Sequence, residues 1–182
     1  MYRYQREHME LFHADYVTPA EFCEVLESEM TSLYLLAFLL TANHEDAERC
    51  FSTTADAAIE AQPVFKGWAR SWLKRKLIKN AIRIVFPTSD RGEQRRHLWS
   101  AGQPGSVGGG EIDAVTGLAP LERFIFVMSV LERYSAWECA VLLGCDRSVV
   151  AEVRTRALRG LAADASLPRV EGMSSRHLQA TA

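Results

Sequence analysis

Apolar positions recur at helical spacing through most of the chain. In Thr18-Pro19-Ala20-Glu21 the Thr is placed to cap a helix, Pro to occupy its first turn and Glu to reach back to the cap. Phe22, Leu26, Met30, Leu33, Ala37 and Leu40 follow at intervals of 4, 4, 3, 4 and 3, an α-helical stripe. Leu33 to Leu40 is apolar all round, which predicts burial on several sides. Asn43, with Asp46 three residues on, marks the start of a second helix that carries Ala47, Phe51, Ala55, Ala58 and Ile59. Pro63 interrupts, a third helix is predicted over about Lys66–Val85, and Pro87 ends it. Beyond a long gap, Pro120 opens a helix with Leu121, Phe124, Ile125, Met128 and Leu131, and two shorter helices follow.

The gap, Asp90 to Ala114, lacks apolar periodicity and contains Gly-Gln-Pro-Gly-Ser-Val-Gly-Gly-Gly at 102–110, the composition of a flexible linker. No stretch alternates convincingly as a strand, and no internal repeat is present. The fold class expected is all-α, with two small helical domains joined by a Gly-rich linker. The bounds are a helical domain over 1–88, a linker over 89–116, a second helical domain over 117–165 and a tail over 166–182 that is polar enough to fray.

The third helix carries a mixed face. At 100° per residue, Trp68, Trp72, Arg75, Lys76, Lys79 and Arg83 fall within about 100° of arc. Leu73, Leu77, Ala81 and Ile84 form a second face, and Ile78, Ile82 and Val85 a third, so two sides are buried and one is presented. Cations interleaved with aromatic rings suit single-stranded nucleic acid, with charge for phosphates and ring faces for unstacked bases. A Trp on a helix is also a frequent core residue, and Trp72 is open to that reading.

The last two helices have the spacing of a helix-turn-helix. Ser135-Ala136-Trp137-Glu138 is a second capping box, Gly144 suits a left-handed C-cap, and Asp146 can cap the helix after it. On that helix Val150, Val153, Ala157 and Leu161 form the buried stripe. Ser148, Glu152, Thr155, Arg156 and Arg159 point away, with Arg147 at the N-terminal end, where such helices meet base edges or phosphates. Arg147, Arg154, Arg156 and Arg159 against Glu152 give this helix a local charge of +3.

The overall charge hides this pattern. The 182 residues carry 21 Lys and Arg against 23 Asp and Glu, a net −2, which by itself argues against a nucleic-acid partner. Divided along the chain, residues 1–60 stand at −9, residues 61–100 at +8 and residues 101–182 at −1. A forty-residue segment at +8 suggests a polyanion site.

The four cysteines, 23, 50, 139 and 145, have no zinc-ligand spacing and read as small buried hydrophobes in a reducing compartment. No metal or cofactor is expected. The polar N-terminus does not read as a signal peptide, and Leu33 to Leu40, the longest apolar run, is far short of a membrane span. A cytoplasmic protein without membrane insertion is expected. No Gly-rich phosphate loop, nucleophile motif or carboxylate cluster suggests an enzyme.

Leu118-Ala119-Pro120-Leu121-Glu122-Arg123-Phe124-Ile125-Phe126-Val127 resembles the opening of region 4 in the sigma-70 family, in its small extracytoplasmic-function (ECF) type. Tyr134-Ser135, Glu138, Ala140, Leu142-Leu143-Gly144-Cys145, Val150, Arg156-Ala157 and Leu161 continue that pattern without a gap. Leu33 to Thr41, followed by Glu45-Asp46-Ala47-Glu48, resembles the start of region 2. Trp72-Leu73 with Asn80-Ala81-Ile82 resembles its last helix. The resemblance covers roughly 30–86 and 117–162.

It implies an RNA polymerase sigma factor that binds core RNA polymerase and promoter DNA and is open to capture by an anti-sigma factor. It places Leu36, Asp46 and Glu48 at the polymerase and the basic–aromatic stripe at the promoter. Three features depart from the family. Arg49-Cys50-Phe51-Ser52 stands where an acidic residue is usual, the loop over Gln62–Gly67 is short, and Val153-Arg154 reverses the usual order of a basic and an apolar residue. Two other readings keep the same residues: a sigma-like module that binds an anti-sigma factor or other regulator, and a helix-turn-helix transcriptional regulator.

Overall fold

The structure, a computed structural model, describes residues 15–60, 64–87 and 110–166. Among them the chain forms seven α-helices, and the extended pairing is a single isolated antiparallel bridge between Tyr16 and Phe65. Pro63, most of the Gly-rich stretch and the tail beyond Ser166 lie outside the described residues.

Helix α1 (Pro19–Thr41) starts at the predicted capping box: Thr18 Oγ1 accepts from the Glu21 amide at 3.3 Å, and the Glu21 carboxylate accepts from the Thr18 amide at 2.9 Å. Helix α2 (His44–Ile59) is capped by Asn43, whose side-chain oxygen accepts from the Asp46 amide at 3.1 Å. A 3₁₀ turn (Lys66–Trp68) leads into α3 (Ala69–Val85). These three helices pack on one another. Leu33, Ala37 and Leu40 of α1, Ala47 and Cys50 of α2, and Leu73, Leu77, Ile78 and Ala81 of α3 are all buried.

A side-chain polar link crosses that core, beside a contact from the Cys50 thiol to the Leu77 carbonyl at 3.4 Å. Asn80 Nδ2 donates to Thr54 Oγ1 at 3.0 Å, and Thr54 Oγ1 donates to the Cys50 carbonyl at 2.8 Å, so both buried side chains are satisfied. Burial also pushes the Cys50 thiol up to about 12, so it behaves as a small hydrophobe. Cys139 is buried as well, but Cys23 is exposed, contrary to the expectation for it. It lies one position past Phe22, on the solvent side of the α1 stripe.

The span expected as linker ends in structure. Residues 111–116 form α4 (Glu111–Thr116), with Val115 buried, and α4 docks on α1. Six residues are fewer than two turns, too short for a periodic stripe to register in the sequence.

Helix α5 (Pro120–Phe126) runs into a π-helical turn (Val127–Leu131), in which the Glu132 amide reaches back to the Val127 carbonyl at 2.9 Å. The wider turn shifts the register by a fraction of a residue. Leu131, predicted on the buried stripe, is therefore 47% exposed, while Phe124, Ile125 and Met128 are fully buried. Helix α6 (Ala136–Leu143) and α7 (Arg147–Ser166) complete the described residues. At 20 residues, α7 is longer than expected.

The N- and C-terminal helices share one core, and a buried cation joins them. Arg123 is 6% exposed. Its Nε donates to the Leu40 carbonyl at 3.0 Å and its Nη2 to the Thr41 carbonyl at 3.4 Å. Its Nη1 donates to the carbonyls of Thr116 and Leu118, both at 3.1 Å. Leu40 and Thr41 end α1, where carbonyls lack helical partners and the helix dipole is negative. Lys74 of α3 reaches Glu132 at 2.7 Å, and Phe86 packs on Phe124 at 5.2 Å between ring centroids.

Arg123→Ala strands these carbonyls in the core and is expected to lower unfolding stability by about 3 kcal/mol, read from the urea midpoint. Arg123→Lys is expected to recover less than half of that loss, because an ammonium cannot span two pairs of carbonyls.

Candidate nucleic-acid interface

The face predicted on α3 forms, though its members are not equivalent. Trp68, in the 3₁₀ turn, is 66% exposed, and Lys79 and Arg83 are exposed on the second half of α3. Trp72 is half-buried: one side of its ring meets Phe22 at 5.5 Å, and the Lys76 ammonium lies 5.9 Å from its centroid. Trp72 therefore serves the core and the cationic face together.

Arg75 is half-buried and faces the C-terminal helices, where its charge acts on Tyr134 and Glu138. Burial first, then the Glu132 charge, raises the Tyr134 phenol, and Arg75 opposes them. Arg75 and Lys74 thus point toward an acidic edge of their own chain. On the other side, Arg70 pairs with Glu29 at 2.8 Å and Lys66 with Glu21 at 2.6 Å. Part of the acidic N-terminal segment is thereby matched to the basic segment within one molecule.

The α6–α7 pair is built by two local devices. Ser135 Oγ accepts from the Glu138 amide at 3.2 Å, and Glu138 accepts from the Ser135 amide at 2.9 Å. Gly144 ends α6 with φ 62°, a left-handed conformation that costs glycine little, and the Cys145 amide returns to the Ala140 carbonyl at 3.0 Å. Val150, Val153 and Ala157 are buried as predicted, with Leu161 half-buried, so the Val153-Arg154 order still supplies the stripe.

Arg147, Ser148, Glu152, Thr155, Arg156 and Arg159 are all exposed on α7. Arg156 is committed to its own chain: Nε bonds to Glu122 of α5 and Nη1 lies 4.0 Å from Glu152. Trp137 and Val141, one turn apart on α6, are 59% and 52% exposed and line an open groove with Cys145, Asp146 and Arg147. In the sequence Trp137 stands out only as a position in the capping box. A Trp and a Val four residues apart, off the Cys139–Ala140 stripe, are the signal that marks this face.

The residues placed at a polymerase do not form one surface. Leu36 is 4% exposed and sits in the α1 core, so it cannot act as a contact. Asp46 is bonded to Arg49 at 2.6 Å, and Glu48 is exposed. Arg49 is the residue that departs from the family pattern, and it offsets the charge of Asp46. Among the described residues no three His, Cys, Asp or Glu side chains gather as a metal site, and no helix is long and apolar enough to cross a membrane.

No protein-family model matches the chain, and no curated protein does. A solved structure does: the sigma factor RpoE in complex with the anti-sigma factor NepR from Bartonella quintana. The two share 18% identity and superpose with a TM-score of 0.51, over 82% of this chain and 99% of that one. At that identity the likeness is one of fold, an all-helical, sigma-factor-like arrangement.

The Glu138 carboxyl is held below its ordinary value of 4.5, first by the Ser135 hydroxyl and then by the Ser135 amide. A carboxylate whose pKa falls on folding stabilises the fold above its unfolded value and gives that up as the pH drops through the folded value. Ser135→Ala is expected to cost about 1 kcal/mol at neutral pH. Urea midpoints should show this deficit shrinking below roughly pH 4.5, as Glu138 protonates in both chains.

Proposed function

We propose that this chain is an RNA polymerase sigma factor of the small two-domain type, a binding subunit with no chemistry of its own. The observation that carries the reading is the sigma-factor-like fold across 82% of the chain, and the motifs at 30–86 and 117–162 resemble the same family. In this reading the chain works in the cytoplasm, binds core RNA polymerase through α1 and α2, and meets promoter DNA twice.

Trp68, Trp72, Lys76, Lys79 and Arg83 of the α3 face take the separated strand. The α6–α7 pair acts as a helix-turn-helix, with Arg147, Ser148, Glu152, Thr155 and Arg159 toward the duplex. The solved relative is complexed with an anti-sigma factor, and a regulator of that kind is the natural second partner.

A second reading is a sigma-like module that binds a regulator without melting promoters. It is favoured by the cations the chain keeps for itself: Lys74 on Glu132, Arg156 on Glu122 and Arg49 on Asp46. Assembly with core polymerase followed by run-off transcription separates the two, since the module gives no transcript.

Under the sigma reading, Lys76→Ala combined with Lys79→Ala is expected to reduce open-complex formation about tenfold while leaving polymerase affinity within about twofold. Equal losses in both would remove the stripe from the promoter. Arg147→Ala is expected to lower the salt slope of duplex binding by about 1. Arg156→Ala should change it by about half as much or less, because Glu122 already offsets that charge.

A further inference from the structure

The segment just ahead of α1 lies outside the family resemblance, yet it is fastened to the start of the α3 face. The Val17 amide donates to the Val64 carbonyl at 2.7 Å, and the Lys66 amide donates to the Asp15 carbonyl at 2.9 Å. Between these bonds Tyr16 stacks on Phe65, with ring centroids 4.6 Å apart and planes 26° apart. Phe65 in turn meets Trp68 edge-on at 5.3 Å. The Lys66 ammonium bonds to Glu21, the carboxylate that also closes the α1 capping box.

A turn ending in a 66% exposed Trp would ordinarily be free to move, but this one is tied at its backbone, its ring and its ammonium group. Fixing an aromatic ring before a ligand arrives lowers the ordering cost of binding. A stacking surface for an unpaired base needs a ring held with one face open.

We infer that Asp15–Val17 is a positioning strap: Tyr16 sets Phe65, Phe65 sets Trp68, and Trp68 offers its open face to an unpaired base of a single strand. The inference rests on the promoter-melting reading above and adds residues to that site. Tyr16 acts through Phe65 and Trp68 and touches no base. The second wall against Phe65 thus comes from another part of the chain.

The test uses the full chain and a fluorescent single-stranded DNA of mixed sequence, about 15 nucleotides long, with a matched strand carrying abasic sugars. Trp68→Ala and Tyr16→Ala are each expected to weaken binding to the intact strand roughly tenfold and binding to the abasic strand less than about twofold. Tyr16→Phe, which keeps the ring, should bind within about twofold of the parent chain.

Equal losses on both strands would mean a general structural effect and would overturn the strap. So would unchanged binding by Tyr16→Ala, or a parent chain that binds both strands alike. Should Tyr16→Ala fail to fold, Val17→Pro removes the amide that holds Val64, keeps the ring, and carries the same expectation. Run-off transcription with core polymerase separates the two levels. No transcript from the parent chain defeats the sigma reading, whereas a transcript undiminished by both Trp68→Ala and Tyr16→Ala defeats the strap alone.

Discussion

A guanidinium taken out of water must find an oxygen for nearly every N–H, and Arg123 finds them on the main chain. Four carbonyls from two parts of the chain converge on it: Leu40 and Thr41 at the end of α1, and Thr116 and Leu118 between α4 and α5. Burial lowers its pKa to about 10, so it stays protonated at neutral pH. The charge sits at the negative end of the α1 dipole, which partly offsets its desolvation. Arg123 lies at the junction where α5 and α4 pack against α1, and the Lys74–Glu132 pair is a second tie between the same halves.

Charge is matched in pairs across the rest of the molecule. The −9 of the first sixty residues and the +8 of the next forty are partly one feature, since Glu21 and Glu29 on α1 meet Lys66 and Arg70 at the entry to α3. Exposed pairs of this kind add little stability, on the order of 0–1 kcal/mol each. Their larger effect is on the surface potential. They neutralise the approach to α3 and leave Lys76, beside the Trp72 ring, with Lys79 and Arg83 further along the helix, as the cations of this face. The net charge of −2 therefore describes an average over one acidic helix, one internally matched seam and one basic face.

Much of this was legible in the sequence because it is written in local rules. Both capping boxes, the Asn43 cap, the Gly144 turn and the stripes of α1, α3 and α7 depend on residues three or four apart. What escaped depends on partners far along the chain. Arg123 sits 83 residues from Leu40 in sequence, and nothing at its own position announces the acceptors. The Tyr16–Phe65 bridge likewise joins residues far apart in the chain. The π-helical turn that exposes Leu131 leaves the apolar spacing intact and alters only the geometry. Cys23 shows the limit of reading burial from local composition, since it directly follows buried Phe22 and faces out.

Two corners of the chain turn left-handed without a glycine: Ala42, with φ 55°, and Arg133, with φ 59°. Such a conformation costs an ordinary residue roughly 1–2 kcal/mol. Ala42 immediately follows Thr41, an Arg123 acceptor, and Arg133 immediately follows Glu132, the partner of Lys74. The backbone thus reverses directly after each junction contact, with no slack residue between anchor and corner. Along an α-helix each residue advances about 100° around the axis. One residue more or fewer in α1 would swing the Leu40 carbonyl a quarter-turn or so away from Arg123 and carry the corner with it. The length of α1 is in this sense a fixed dimension of the molecule, set by a hydrogen bond at its far end.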